Sequence, residues 1–355
     1  MEMSPENILK ALGNVEDPDL KKDLVSLNMI KDLKVDNLHV SFTLELTTPA
    51  CPMKDMLKNA CINAIKHLVN SDAQVEVNLS SRVSTPTDIS GLAGIKNIIL
   101  ISSGKGGVGK STVASNLAIA MAKTGASVGL IDADIYGPSI PTLFDLVHAK
   151  PSAKETPSGK TLIEPIEKHG IKILSLGFFA DPEQAVPWRG PMASNAIKQL
   201  FNDADWGELD YLFVDMPPGT GDIHITISQT FPITGAVIIT TPQKLAVADT
   251  TKGLNMFLMP GINIPVLGVI ENMSYFVAKE LPDHKYYIFG RDGGKDLAAK
   301  NQVPFLGEIP IIQSIADSGD TGIPLVWDAS DKREMLFDEL AGKIAQQVSI
   351  RNRQV

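Results

Sequence analysis

Cysteine is nearly missing. Cys51 and Cys61 are the two in 355 residues, too few for a disulfide framework. Long apolar runs are missing as well: none approaches the ~18 residues that a membrane-crossing helix needs. The opening residues, MEMSPENILKAL, have no basic stretch leading into an apolar core, so no secretion signal is read there. These absences together predict a reducing, cytoplasmic setting. Basic residues are outnumbered, with 32 Lys and Arg against 41 Asp and Glu and a net charge of −9. That balance argues against nucleic acid and anionic membranes as partners, because both reward basic patches. No internal repeat or low-complexity tract is found. What remains is ordinary globular material, 44% hydrophobic and 21% charged, and long enough for more than one domain.

The pattern of apolar residues changes along the chain. Residues 1–80 read as a small α+β domain. ENILKALGNV has helical spacing, LKVDNLHVSFTLEL alternates around a turn at Asn37, CPMKDMLKNACINAIKHLVN returns to helical period, and AQVEVNLSSRV reads as a strand. Residues 81–95 are rich in Ser, Thr, Gly and Pro and read as a linker. From 96 to 355, continuous apolar runs alternate with helical segments: NIILIS, SVGLIDAD, IKILSLGF, YLFVDM, GAVIITT, PVLGVIEN and VPFLGEI. Strands apolar on both faces belong in a parallel sheet covered by helices. The expected fold class is therefore α/β, a doubly wound, mostly parallel sheet preceded by a small α+β domain. The chain closes on a predicted helix, KREMLFDELAGKIAQQVSI.

The chemistry concentrates in ISSGKGGVGKST, residues 101–112. Gly104, Gly109, Lys110 and Ser111 match G-x-x-x-x-G-K-[ST], with a strand before them and a helix after. Glycines let the backbone wrap around phosphate oxygens, and the helix N-terminus adds partial positive charge. The expected nucleotide cradle is Gly104, Lys105, Gly106, Gly107, Val108, Gly109, Lys110, Ser111 and Thr112. In it Lys110 reaches the β- and γ-phosphates, Ser111 holds Mg²⁺ and Thr112 reaches the α-phosphate. Lys105 is an extra cation. One reading has it neutralising the triphosphate of a second protomer across a homodimer; the other is a solvated loop lysine.

Acidic groups follow at strand ends. Asp134 is the candidate to orient or deprotonate the attacking water. Asp132 would hold that geometry or contact Mg²⁺ through water. Asp215 ends YLFVD, where a carboxylate fits the Mg²⁺ shell. The segment after it, MPPGTGD, reads as a switch, with Thr220 placed to sense a γ-phosphate. Asn272 is the candidate reader of adenine's N6 and N7 edge, with Pro310 as a further wall. Trp188 and Arg189 fit a dimer face or a packed loop.

GKGGVGKST, IDADIYGPS, WRGPM, DYLFVDMPPGTGD and GVIENMS, in that order, resemble the Mrp/ApbC-type iron–sulfur cluster carrier ATPases of the deviant Walker A branch. VEDPDL, LVSLNMI and LTTPACP resemble the MIP18-type domain often fused ahead of them. The resemblance implies a homodimer that hydrolyses ATP with help from Lys105. It also implies assembly or delivery of clusters to apo-proteins, in company with assembly scaffolds. The family's usual C-x-x-C after ENMS is replaced here, with Ala278 and Leu281 at those places. Neither can bind iron, and cluster ligation needs soft thiolates. Cys61 reads as a core thiol. Cys51, before a helix, reads as a thiol of lowered pKa and the candidate Fe–S ligand, or as simple packing. The alternatives are a nucleotide-switched positioning or partitioning ATPase that binds no cluster, and an electron-transfer ATPase of the nitrogenase iron-protein kind. The second would need cysteines that residues 96–355 lack.

Overall fold

The structure is a computed structural model. It describes residues 2–353 except 86–91, 93, 158, 181–189, 279, 282 and 328–334. Trp188, Arg189 and seven of the fifteen residues of the expected linker lie outside the described residues. The chain divides into two compact units, Met1–Ser84 with Ala345–Val355, and Thr85–Ile344.

In the first unit, Ser4 starts the helix Pro5–Leu12 by accepting from the Asn7 amide at 3.3 Å, with proline in the first turn. The strands Ile30–Asp36 and His39–Leu46 form the antiparallel hairpin, with Asn37 at φ 52° in its turn. Gln74–Ser81 returns parallel to the second of them. The helix Lys54–Leu68 makes that return crossover, and its buried face (Leu57, Cys61, Ile65) joins Ile8, Leu12, Phe42 and Leu44 in one core. The alternation of His39–Leu46 is why one face of the sheet is dry and the other wet.

The terminal helix, Met335–Arg353, departs from expectation. The sequence put all of it in the second domain, but residues from Ala345 onward group with the first unit. Within that unit the Asn352 amide donates to the Ser84 carbonyl at 2.9 Å, and Gln346 bonds Asp19.

The second unit is built on a nine-stranded sheet. Across it run Ile166–Lys168, Ile171–Ser175, Val128–Asp132, Tyr211–Asp215, Ile98–Ser103, Ile233–Thr240 and Val266–Val277, and the last of these pairs with both Phe305–Ile311 and Lys285–Tyr286. Every pairing is parallel except those of Ile166–Lys168 and Lys285–Tyr286. Ile98–Ser103, Val128–Asp132, Tyr211–Asp215 and Ile233–Thr240 are buried along their whole lengths, as the apolar runs predict.

One topological step builds the site. After Ile98–Ser103 the chain skips a place to lay down Val128–Asp132, and Tyr211–Asp215 later fills the gap. The carboxyl ends of three adjacent strands thus align, with Asp215 level with Ile101 on one side and Asp132 on the other. Ligands of such sheets bind outside the carboxyl edge at a switch in strand order. Leu212, on the gap-filling strand, is fully buried in the main core. We predict that Leu212→Ala lowers unfolding free energy by about 2–5 kcal/mol, read from urea midpoints at unchanged slope.

Candidate nucleotide-binding site

Residues 104–109 turn from the strand Ile98–Ser103 into the helix Lys110–Lys123. Two glycines are required by contact. A Cβ on Gly104 would sit 2.2 Å from the Thr250 amide nitrogen, and one on Gly109, at φ +78°, would sit 2.4 Å from Asn272 Nδ2. The helix begins at Gly109 without a side-chain cap and without an acid in its first turn. Its free N–H groups are therefore left for an anion. The loop lines a cavity of about 250 Å³ together with Ser111, Thr112, Asp134 and Pro218.

Lys110 is buried and its ammonium is held by Asp215 at 2.5 Å, with Asp134 at 4.0 Å. Asp215 is fully buried, and its second oxygen has no hydrogen-bond partner. An orphaned carboxylate oxygen beside a phosphate-sized cavity fits a divalent cation. Mg²⁺ is usually held by one or two carboxylates completed by phosphate oxygens. Among the described residues no group of three or more His, Cys, Asp or Glu is placed to hold a metal ion.

Asp132 is buried and hydrogen-bonded through both of its oxygens. One of its oxygens accepts from the Asp134 amide at 3.1 Å. The other accepts from the Ile140 amide at 3.2 Å and the Ser175 hydroxyl at 3.0 Å. These bonds brace the loop that carries Asp134. Burial, with Asp215 alongside, pushes the Asp132 carboxyl up to about 8. Burial also raises Asp134, against the opposing pull of Lys110. A raised carboxyl beside the phosphate cavity suits a proton acceptor. Lys105 is half-buried and makes no side-chain hydrogen bond or ion pair among the described residues, while its carbonyl accepts from Ser103 Oγ at 3.0 Å. Gly219, at φ +93°, donates its amide to the Ser103 carbonyl at 2.9 Å and pins the segment after Asp215 to the loop.

Asn272 is partly engaged. Its Nδ2 donates to the Val108 carbonyl at 2.8 Å, which uses one of its two N–H groups in holding the loop. The second N–H and Oδ1 remain for a ligand. The side chain does border a second cavity of about 780 Å³, with Thr112, Met273, Pro310 and Ile315 among its walls. Gly109 and Thr112 line both cavities, so a base-sized apolar chamber adjoins the phosphate chamber.

His224, which the sequence reading passed over, borders a third chamber of about 550 Å³ with Asp134, Pro217 and Pro218. It is fully buried, and neither ring nitrogen makes a hydrogen bond of ordinary length and angle among the described residues, although the Gly221 and Pro217 backbone lies near enough to favour its protonated form. Burial, with Lys110 adding, pushes the imidazole down to about 4. Leaving buried polar atoms unpaired costs about 1–3 kcal/mol. The only sequence signal was one imidazole inside the apolar stretch DIHITI.

A family model described as NUBPL iron-transfer P-loop NTPase matches residues 94–348, and one described as iron-sulfur cluster assembly protein matches residues 5–78. The chain belongs to the NUBPL iron-transfer P-loop NTPase family. It is 46% identical over 352 residues to an iron-sulfur cluster carrier protein of Synechocystis sp., covering 97% of this chain and 98% of that one. It is 39% identical to the protein of the same name in Escherichia coli, covering 95% and 90%. Among solved structures, the nucleotide-binding protein in complex with ADP from Archaeoglobus fulgidus matches with a TM-score of 0.57 and 36% identity, covering 69% of this chain and 92% of that one. The cell division ATPase MinD of Pyrococcus furiosus matches with a TM-score of 0.50 at 22% identity, which speaks for the fold alone. Among the described residues no helix is long and apolar enough to cross a membrane.

The thiols of this P-loop NTPase lie in its first unit. Cys61 is buried and pushed up to about 12 by burial. Cys51 is half-buried ahead of a helix whose N-cap, Met53, makes no capping bond. The expectation of a lowered pKa at Cys51 is corrected: burial raises it, and Asp19 and Asp17 add to the rise, outweighing the Met53 backbone and Lys54.

His224 gives a pH test. The unfolded ring takes a proton near pH 6.5, the folded one near pH 4. Between those values the unfolded state binds more protons, so stability falls as the pH falls through that window. The wild type should lose about 3 kcal/mol more than His224→Phe between pH 6.5 and 4, measured by paired denaturant melts.

Proposed function

We propose that this chain is an ATP-hydrolysing homodimer that assembles or delivers iron–sulfur clusters to apo-proteins. The observation that carries the nucleotide chemistry is the buried Lys110–Asp215 pair with its orphaned oxygen. A buried lysine held by one carboxylate is ready to exchange that partner for phosphate oxygens. The base occupies the chamber beside Asn272 and Pro310, and the phosphates occupy the loop. Ser111 and Asp215 hold Mg²⁺, which when bound neutralises charge on the β- and γ-phosphates. Asp134, braced by Asp132, accepts the proton of the water that attacks the γ-phosphorus. The bond to the β–γ bridging oxygen breaks, and ADP and phosphate leave. Lys105, whose side chain makes no hydrogen bond or ion pair among the described residues, meets charge on the partner's triphosphate.

The cluster role draws its support from family membership and from the names of the relatives. The chain's own thiols are Cys51 and Cys61. Cys61 is sealed in the core, so a cluster held on this protein uses Cys51 of each protomer, with thiols from a client or a small molecule completing the set.

Lys105→Ala should lower ATP turnover at least 100-fold while ADP affinity stays within a few-fold, measured by coupled phosphate release and nucleotide fluorescence. Turnover at the wild-type rate would remove the trans role. Anaerobic reconstitution with iron, sulfide and added thiol should give cluster absorbance in the wild type and lose it in Cys51→Ala. Equal iron and sulfide in both proteins would exclude Cys51.

A further inference from the structure

A buried histidine with neither nitrogen in a well-formed hydrogen bond needs a reason, because an apolar side chain of that size would fill the place without a polar penalty. His224 faces apolar company on one side, its ring 6.4 Å from that of Phe257. On the other it borders the chamber shared with Asp134, Pro217, Pro218 and Gly221. Asp134 and Pro218 also line the phosphate cavity, so the ring stands one chamber away from the γ-phosphate position. It sits on the first turn of the helix Asp222–Thr230, which has no side-chain cap. The polar groups bearing on the ring are the backbone of Gly221 and of Pro217, both of which favour its protonated form, and the Lys110 ammonium, which disfavours it. Gly221 and Pro217 are the two ends of the segment that follows Asp215, and that segment is already tied to the loop through Gly219.

We propose that His224 is a positioning residue: its imidazole latches the segment Pro217–Gly221 once a bound triphosphate draws that segment in. The inference rests on the ATPase reading above. A neutral imidazole has one N–H to donate and one nitrogen to accept. One end of the segment can take that N–H, and the second nitrogen remains for an N–H or a water in the chamber.

The test compares His224→Gln, which keeps a donor and an acceptor, with His224→Leu and His224→Phe, which keep neither. Each is assayed for steady-state ATP turnover, ADP affinity and thermal melting. Amide hydrogen exchange of residues 216–222 is followed with ADP and with a non-hydrolysable ATP analogue. We expect the two apolar variants to melt no lower than the wild type and to bind ADP unchanged. Their kcat should fall about ten-fold at unchanged KM, and the analogue-induced protection of 216–222 should be lost. The Gln variant should keep turnover within about three-fold. Apolar variants with wild-type turnover and protection would overturn the latch. So would apolar variants that lose fold or ADP affinity along with kcat, or a Gln variant that behaves like the Leu one. If the wild type itself hydrolyses no ATP, the parent reading fails, and the exchange comparison still decides the latch.

Discussion

The contact between Lys110 and Asp215 is the constraint on which the rest depends. Both groups are buried, and a buried charge is tolerable only when paired. The pair ties the first helical residue after the glycine loop to the end of the neighbouring strand. It draws in Asp132, which lies in register with Asp215 and is raised because two adjacent carboxyls in a dry place cannot both ionise cheaply. Asp132 in turn holds the backbone of Asp134. A nucleotide entering here changes one partner of one lysine and thereby alters the electrostatics of three carboxyl groups.

That arrangement divides the work among three adjoining chambers. The loop offers N–H groups and a helix end to phosphate. The apolar chamber beside Asn272 offers surface to a base. The third chamber is walled by Asp134, His224 and the segment after Asp215. Asn272 belongs to the frame of the loop as much as to the base chamber, because its amide closes on the Val108 carbonyl.

The cargo side is governed by scarcity. An NTPase of this family with two cysteines, one of them in its core, has little sulfur of its own to give iron. Burial and two nearby aspartates hold the Cys51 thiol in its protonated form. A cluster bound there must supply the electrostatic gain that removes the proton, as a coordinating metal does for thiols.

Much of this was written in local pattern. The seven apolar runs became seven parallel strands, and G-x-x-x-x-G-K-[ST] became a strand–loop–helix, because period, glycine placement and capping act over a few residues. Other matters were decided only by the tertiary structure. The insertion of Tyr211–Asp215 between two earlier strands sets Asp215 against both Lys110 and Asp132, some eighty to a hundred residues away in the chain. The bond from Asn272 to the Val108 carbonyl and the raised rather than lowered pKa of Cys51 came from residues far off in the chain or packed around the group. His224 became visible only once its neighbours were in place. Protonation and pairing depend on what packs around a group from distant segments, and no local spacing encodes that.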